Sequence, residues 1–536
     1  MADIAFCSFY IILFSIIILK AEFFRLPAFG PYTTIYLFYL KLICAVALWY
    51  LYSHISAQRF TSDIFKHFDD GVILYNRIHK SPGDFIKMIT GIHDSDPAIH
   101  AIYAQMNSWA NGNQSLFYDN SHFIIRLNAL FMLLSLGHYG VHVIFMCFLS
   151  LTGLVLIYKR FYRVCSNTRI GLLAAIFLFP SVLLWSSGII KEPIVFAGMG
   201  LLLYYFDNLM QSRGNKLKNI ILTLLGIVII FENKSYAAIC VLPCMLSDLA
   251  IGGLSFCRRR PGLTYLTITS CYLFLGININ LFGAPISPLG ILAAKQTDFN
   301  HIANSGIYLE EKNDNDTYAF LPSEDTLLLL PASNYTDSIL RNRGFGFMSC
   351  PAFTSFEIRT KRFAYFTLRQ GTKYKQFHNH YGDTTCLTAE TKTLYWLQVY
   401  GEPAKSRIQI EPISHTLAGL ISHVPQALAI TLIRPFPGEI HSLTAFLEFV
   451  ENILLWVLVI VAFISPKRFL KSVKSEIIIR NEFWRTFYFC LTYCLLMFTL
   501  IGLVTPLYGG IERYRTLAMP FLLILLLLIF YKRTQS

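Results

Sequence analysis

Charge is the first thing this sequence lacks. Only 14% of its 536 residues are Asp, Glu, Lys or Arg, where a water-soluble domain carries about a quarter. A chain of this length without a charged surface cannot face water all round, so lipid must solvate much of it. It also lacks a metal-binding cysteine pattern. Ten of its twelve cysteines lie in or beside apolar runs (Cys7, Cys44, Cys147, Cys165, Cys240, Cys244, Cys257, Cys271, Cys490 and Cys494), where they pack as small hydrophobes. The i,i+4 pairs Cys240–Cys244 and Cys490–Cys494 have no histidine or third cysteine to complete a zinc set. No internal repeat is visible. Nor does the start read as a cleaved leader: Asp3 occupies the place of a basic n-region and Lys20 follows the apolar run.

What is present is apolar and aromatic. Hydrophobic residues make up 54% of the chain, including 45 Phe, 30 Tyr and 6 Trp, and aromatic rings anchor helices at headgroup level. A bilayer core about 30 Å thick takes about 20 apolar residues in helix. That ruler predicts eleven spans, near 4–19, 33–53, 139–158, 170–187, 193–210, 218–232, 235–255, 262–282, 443–465, 484–506 and 514–531.

The net charge of +13 does not point to nucleic acid, because the basic residues sit in short clusters between apolar runs. Lys20/Arg25, Lys159/Arg160/Arg163/Arg169, Arg213/Lys216/Lys218, Arg258–Arg260, Lys467/Arg468/Lys471/Lys474/Arg480 and Lys532/Arg533 fall on alternate connections. The intervening connections are nearly balanced, as at Lys191/Glu192, Glu232/Lys234 and Glu512/Arg513/Arg515. Under the positive-inside rule this places the C-terminus in the cytoplasm and the long segments 54–138 and 283–442 outside.

The expected fold is therefore an all-α polytopic membrane protein with about eleven transmembrane helices and a β-rich extracytoplasmic insertion. Residues 1–32 form an extra N-terminal helix and loop. Residues 33–308 form the transmembrane core with the first outer loop at 54–138. Alternating stretches at Phe363–Gln370, Thr393–Tyr400 and Arg407–Ile410 mark 309–410 as the insertion, where Cys350 and Cys386 are candidates for a disulfide in an oxidising compartment. An interfacial segment and the last spans occupy 411–536, with 413–435 lying along the membrane surface.

Ionisable groups at the ends of membrane helices are expensive and mark functional sites. On the outer face they are Asp63, Asp69 and Asp70 after the second span, each a candidate base for an acceptor hydroxyl. Lys191 and Glu192 follow a stretch loosened by Pro180 and Gly188, and Lys234 marks the next outer hairpin. Glu448 and Glu451 lie one turn apart, with Arg434 or His441 as expected partners. Arg513 and Arg515 flank Tyr514, and two arginines at headgroup level suit phosphate. Each set has a plain alternative: solvated acids, an interfacial hairpin, a structural ion pair or a lipid anchor.

Taken together, these features resemble the C-type glycosyltransferase superfamily, the polytopic enzymes that take sugar from a polyprenyl-phosphate carrier. The resemblance rests on the acidic first outer loop, the stretch 180–192 (Pro-Ser-Val-Leu-Leu-Trp-Ser-Ser-Gly-Ile-Ile-Lys-Glu), Arg-Pro-Phe-Pro at 434–437 and Glu-Arg-Tyr-Arg at 512–515. The last three are similar to segments of bacterial members. It spans roughly 33–300 and 413–531, leaving the insertion outside.

The resemblance implies a glycosyltransferase of the bacterial inner membrane acting on an acceptor glycan, lipid or protein. Asp63, or Asp69 or Asp70, would be the base, while Lys191, Lys234, Arg513 and Arg515 would hold the departing phosphate. The acidic pair common in the family is absent at Asp63, which leaves open both the base and any divalent metal. The rival readings are a lipid-linked polysaccharide polymerase, a flippase or transporter of lipid-linked oligosaccharide, and a non-catalytic assembly subunit. A transporter predicts charges through mid-membrane, and here only Lys41 and Asp248 qualify.

Overall fold

The computed structural model describes residues 2–55, 62–92, 96–103, 105–106, 108–109, 121–279, 288–304, 404–414, 416–464 and 477–529, with six short strands between 306 and 400. Among the described residues, seven helices are long and apolar enough to cross a membrane: Asp3–Lys20, Tyr32–His54, Tyr139–Leu178, Lys191–Met210, Lys216–Gly253, Leu443–Val461 and Glu482–Val504. Their outward faces carry large apolar side chains in the open, such as Ile43, Val46, Leu225, Val228, Val457 and Ile460. Such a surface suits lipid rather than water. The chain is a membrane protein with several long apolar helices.

The expected eleven spans are corrected to these seven, for three physical reasons. The sixth and seventh expected spans belong to one run, Lys216–Gly253, interrupted only at Lys234, whose φ of −145° and ψ of 76° leave the helical region. The segment 170–187 does not form one continuous helix. It passes from Arg169–Leu173 through a π-helical turn, Ala174–Leu178, to extended backbone at Phe179, and restarts as Pro180–Trp185. Proline suits that restart because the first turn needs no N–H from it. Finally, Pro261–Ile277 and Met519–Ile529 are apolar but shorter than a bilayer core requires.

The β-rich insertion is corrected as well, because the described body is helical. Between 306 and 400 the structure describes only strands of two to six residues, Gly306–Glu311, Ala319–Phe320, Phe345–Phe347, Tyr365–Leu368, Phe377–His378 and Tyr395–Tyr400. The pairing expected for Cys350 and Cys386 lies outside the described residues. The segment 413–435 forms the helix Leu417–Leu432. A Cβ added at Gly502 would meet the Ala427 carbonyl at 2.1 Å, so this helix packs backbone to backbone on Ile477–Val504.

The core of the bundle is a seam of glycines. A Cβ on Gly200 would come within 2.3 Å of the Gly153 carbonyl, and one on Gly226 within 2.7 Å of the Gly198 carbonyl. Helices Tyr139–Cys165, Lys191–Met210 and Lys216–Gly253 therefore meet along small residues, the contact that drives helix association in lipid. Lys41, buried in Tyr32–Tyr50, sits beside the 186–190 break. Its amine donates to the Ser186 carbonyl (2.8 Å) and to the hydroxyls of Ser186 and Ser187, and the Ser150 hydroxyl donates to the same carbonyl (2.7 Å). These donors replace those lost where the helix stops.

The segment between the second and third long apolar helices contributes Asp63–Asn76, Pro82–Thr90, Pro97–Tyr103 and His122–Ser135. They enclose a small core of Leu74, Phe85, Met88, Ile99, Tyr103, Ile125 and Ala129. The first of these helices starts at Asp63, and the bundle fixes where that start lies.

Gly200→Leu is expected to lower the thermal midpoint of the detergent-purified protein, since overpacking costs about 1–3 kcal/mol. Gly30→Ala, where nothing lies within 4 Å, is expected to leave it unchanged. Equal effects of the two would contradict the glycine seam.

Candidate functional site

Four charged side chains from four distant parts of the sequence converge at one end of the bundle. Arg513, in the helix Tyr508–Arg515, donates from Nη1 to Asp63 Oδ2 at 2.6 Å and from Nε to Glu192 Oε1 at 2.8 Å. The Lys234 amine reaches the same Glu192 oxygen at 3.3 Å. Each is delivered by a helix end or break. Asp63 opens its helix, Glu192 is the second residue of Lys191–Met210, and Lys234 is the non-helical residue within Lys216–Gly253. A straight helix would have carried Lys234 past the site.

The depths differ. Glu192 is fully buried, Arg513 nearly so, and the Asp63 side chain keeps 42% exposure. Asp63 is thus the open edge of an otherwise enclosed cluster. Burial would raise its carboxyl, but the charges of Arg513, His67 and Lys66 outweigh this and hold it well below the usual carboxylate range. Burial likewise works against the Arg513 charge, and Glu192 and Asp63 more than restore it. Lys234 lies 4.1 Å from the Tyr514 ring centre and 5.6 Å from that of Tyr236, a cation–π setting. Lys191 is buried beside Glu192.

Three buried polar atoms around this cluster make no hydrogen bond in the structure: Glu192 Oε2, the Tyr236 hydroxyl and His67 Nε2. A buried group left in that state costs about 1–3 kcal/mol. Four more such atoms, Glu448 Oε1, Glu448 Oε2, Glu512 Oε2 and Arg515 Nε, lie around Arg515.

The other predicted residues are placed elsewhere. Asp69 is half-buried and lies about 240° around the helix from Asp63, at 100° per residue. Asp70 is buried, and its Oδ2 accepts the Ser108 N–H at 2.8 Å, which ties down the 108–109 segment. Arg513 and Arg515 do not grip one group, because two residues along a helix turn about 200°. Arg515 is fully buried, donating to the Thr431 carbonyl (3.1 Å), Asn452 Oδ1 (2.7 Å) and Glu451 Oε1 (3.0 Å), with Glu448 at 3.3 Å. The partner of Glu448 and Glu451 is therefore Arg515. Arg434 instead pairs with Glu439, whose Oε2 also takes the Tyr508 hydroxyl at 2.6 Å. Glu451 Oε2 accepts the Ser181 N–H at 2.7 Å, clamping the broken 180–192 stretch to the helix Leu443–Ile464.

Asp248 accepts from Tyr265 at 2.6 Å and faces Arg485. Arg485, Arg160 and Arg163 surround Asp207, some 16 residues or about 24 Å along the helix from Lys191. Among the described residues no three His, Cys, Asp or Glu side chains are grouped to hold a metal ion.

Sequence reasoning missed His67, which sits one turn after Asp63 on the same face. The signal was the i,i+4 spacing of Asp63 and His67. No protein-family model matches the chain, and no curated protein and no solved structure matches it.

Burial and the nearby charge of Glu451 push the Glu512 carboxyl up to about 8. Between its ordinary value of 4.5 and about 8, the folded chain keeps a proton that the unfolded chain has released. Its contribution to stability therefore falls as pH rises through that window. Glu512→Gln is expected to lose less thermal stability than wild type between about pH 5 and about pH 8. Equal losses would contradict a protonated Glu512.

Proposed function

We propose that this protein is a membrane glycosyltransferase that moves a sugar from a polyprenyl-phosphate donor to an acceptor hydroxyl on the outer face of a bacterial cytoplasmic membrane. The observation that carries the reading is the Asp63–Arg513–Glu192 bridge. It joins the first outer loop to the C-terminal hairpin across 450 residues of sequence, as the resemblance to the C-type superfamily implies.

The chemistry is direct displacement at the anomeric carbon. The acceptor oxygen forms a bond to C1, the bond from C1 to the phosphate oxygen breaks, and its electron pair leaves with polyprenyl phosphate. The hydroxyl proton passes to a base on the first outer helix. Arg513, Lys234 and Lys191 gather around Glu192, cations suited to a phosphate whose charge grows as it departs. In an enclosed site such preset charges act strongly. Arg513 contributes a fork that matches phosphate, and the lysines contribute point charges. Asp63, at the exposed edge, accepts a hydrogen bond from the acceptor and orients it. Glu192 holds Arg513 and Lys234 in place and offers its free oxygen to a sugar hydroxyl.

The distribution of charge favours an enzyme over a transporter. Lys41 and Asp248, the two groups expected to line a path, are each closed into packing contacts. The arginine cluster around Asp207 stands about 24 Å along the helix from Lys191, most of the thickness of a bilayer core. The cluster is rich in arginine, as the positive-inside rule expects of a cytoplasmic end.

Purified protein in lipid nanodiscs, given polyprenyl-phosphate-linked hexoses and pentoses with a cell-envelope extract as acceptor, is expected to transfer label. Arg513→Lys keeps the buried charge but loses the fork, and is expected to reduce transfer by about a hundredfold with little change in thermal midpoint. Asp63→Asn is expected to lower it as well. Full activity in both variants would remove this site from the reaction.

A further inference from the structure

A base held far below its ordinary range accepts protons poorly, and Asp63 is in that position for as long as Arg513 is bound to it. The same helix carries a second proton acceptor. His67 is 2% exposed, and its Nδ1 lies 2.6 Å from the Asp63 carbonyl oxygen. A carbonyl can only accept, so Nδ1 carries the hydrogen. In the neutral ring this leaves the lone pair on Nε2, and that atom is buried with no hydrogen-bond partner. A buried imidazole with its tautomer fixed by one contact and its lone pair unspent is arranged to receive a proton.

We propose that His67 Nε2 is the base that removes the proton from the acceptor hydroxyl, with Asp63 positioning the ring and countering the charge it gains. This inference rests on the transferase reading. Its logic follows the charges around the ring. Burial, together with Lys191 and Arg513, lowers the His67 imidazole to about 4, while Asp63 opposes them. With Lys191 and Arg513 beside it, His67 is therefore neutral and weakly basic. A donor phosphate competes with Asp63 and Glu192 for Arg513 and neutralises Lys191. Loading the site removes the two cations that suppress the ring, frees the Asp63 carboxylate to face it, and opens the bridge that encloses it. The hydroxyl proton then moves to Nε2 as the acceptor oxygen bonds to C1 and the phosphate departs with its electron pair. The imidazolium returns its proton to solvent when product leaves. Catalysis is thereby tied to the presence of a charged donor.

The test uses the full chain in nanodiscs and a polyprenyl-phosphate-linked hexose or pentose that the wild type turns over. His67→Asn keeps an N–H within reach of the Asp63 carbonyl and deletes Nε2. The expected result is a fall in kcat of about a hundredfold or more and a KM for donor within about threefold. The acid limb of the kcat–pH profile should also vanish, since ionisation of His67 no longer contributes. In His67→Ala, added imidazole is expected to restore part of the rate, a rescue that a purely structural role would not give. A His67→Asn enzyme with wild-type kcat and an unchanged acid limb overturns the role of His67 and leaves the transferase reading standing. A wild type that turns over no donor overturns both. If His67→Asn does not fold, failure of imidazole to rescue His67→Ala overturns the proposal.

Discussion

Everything at this site depends on a fully buried carboxylate, Glu192, having cations within reach. An unpaired charge in a low-dielectric interior is too costly to keep, so Glu192 obliges Arg513 and Lys234 to come to it. Those two residues lie in separate helical runs. The requirement therefore fixes the position of the helix Tyr508–Arg515 and of the break at Lys234 together, and through Arg513 it fixes the start of the helix that opens at Asp63. One acid closes this end of the bundle.

The same rule organises the rest of the charged interior. Arg515 is consumed by Glu448, Glu451 and Asn452, and Arg160, Arg163 and Arg485 gather on Asp207. In both clusters the partners come from the protein, and they hold helices together where lipid offers no hydrophobic drive. The Glu192 cluster differs in having an open edge. The Asp63 side chain keeps 42% exposure, whereas Asp207, Glu448, Glu451 and Arg515 are buried. That difference, rather than charge as such, separates the candidate site from the staples around it.

Much of this was readable before any coordinates. The apolar runs gave most of the helices, and the cost of charge in lipid singled out Asp63, Glu192, Lys234 and Arg513. What could not be read was partnership. Arg513 and Arg515 look equivalent in a line of text, and only the 100° turn of a helix sends one to the site and the other to Glu451. Asp70 resembles Asp63 until its oxygen is found on the Ser108 backbone. The count of spans failed because hydropathy cannot tell a continuous helix from one broken at Lys234 or at Phe179. Those breaks are the features that present functional side chains. His67 escaped notice because a lone histidine near an aspartate carries little weight until its lone pair is seen to be free.

The central claim is that the Glu192 cluster recognises the phosphate of a polyprenyl carrier. Equilibrium binding to the purified protein in nanodiscs, comparing a polyprenyl phosphate with the polyprenol of the same length, tests it most directly. The account predicts that the phosphate binds at least about tenfold more tightly, a difference of about 1.4 kcal/mol. Equal affinity for the two lipids would contradict it.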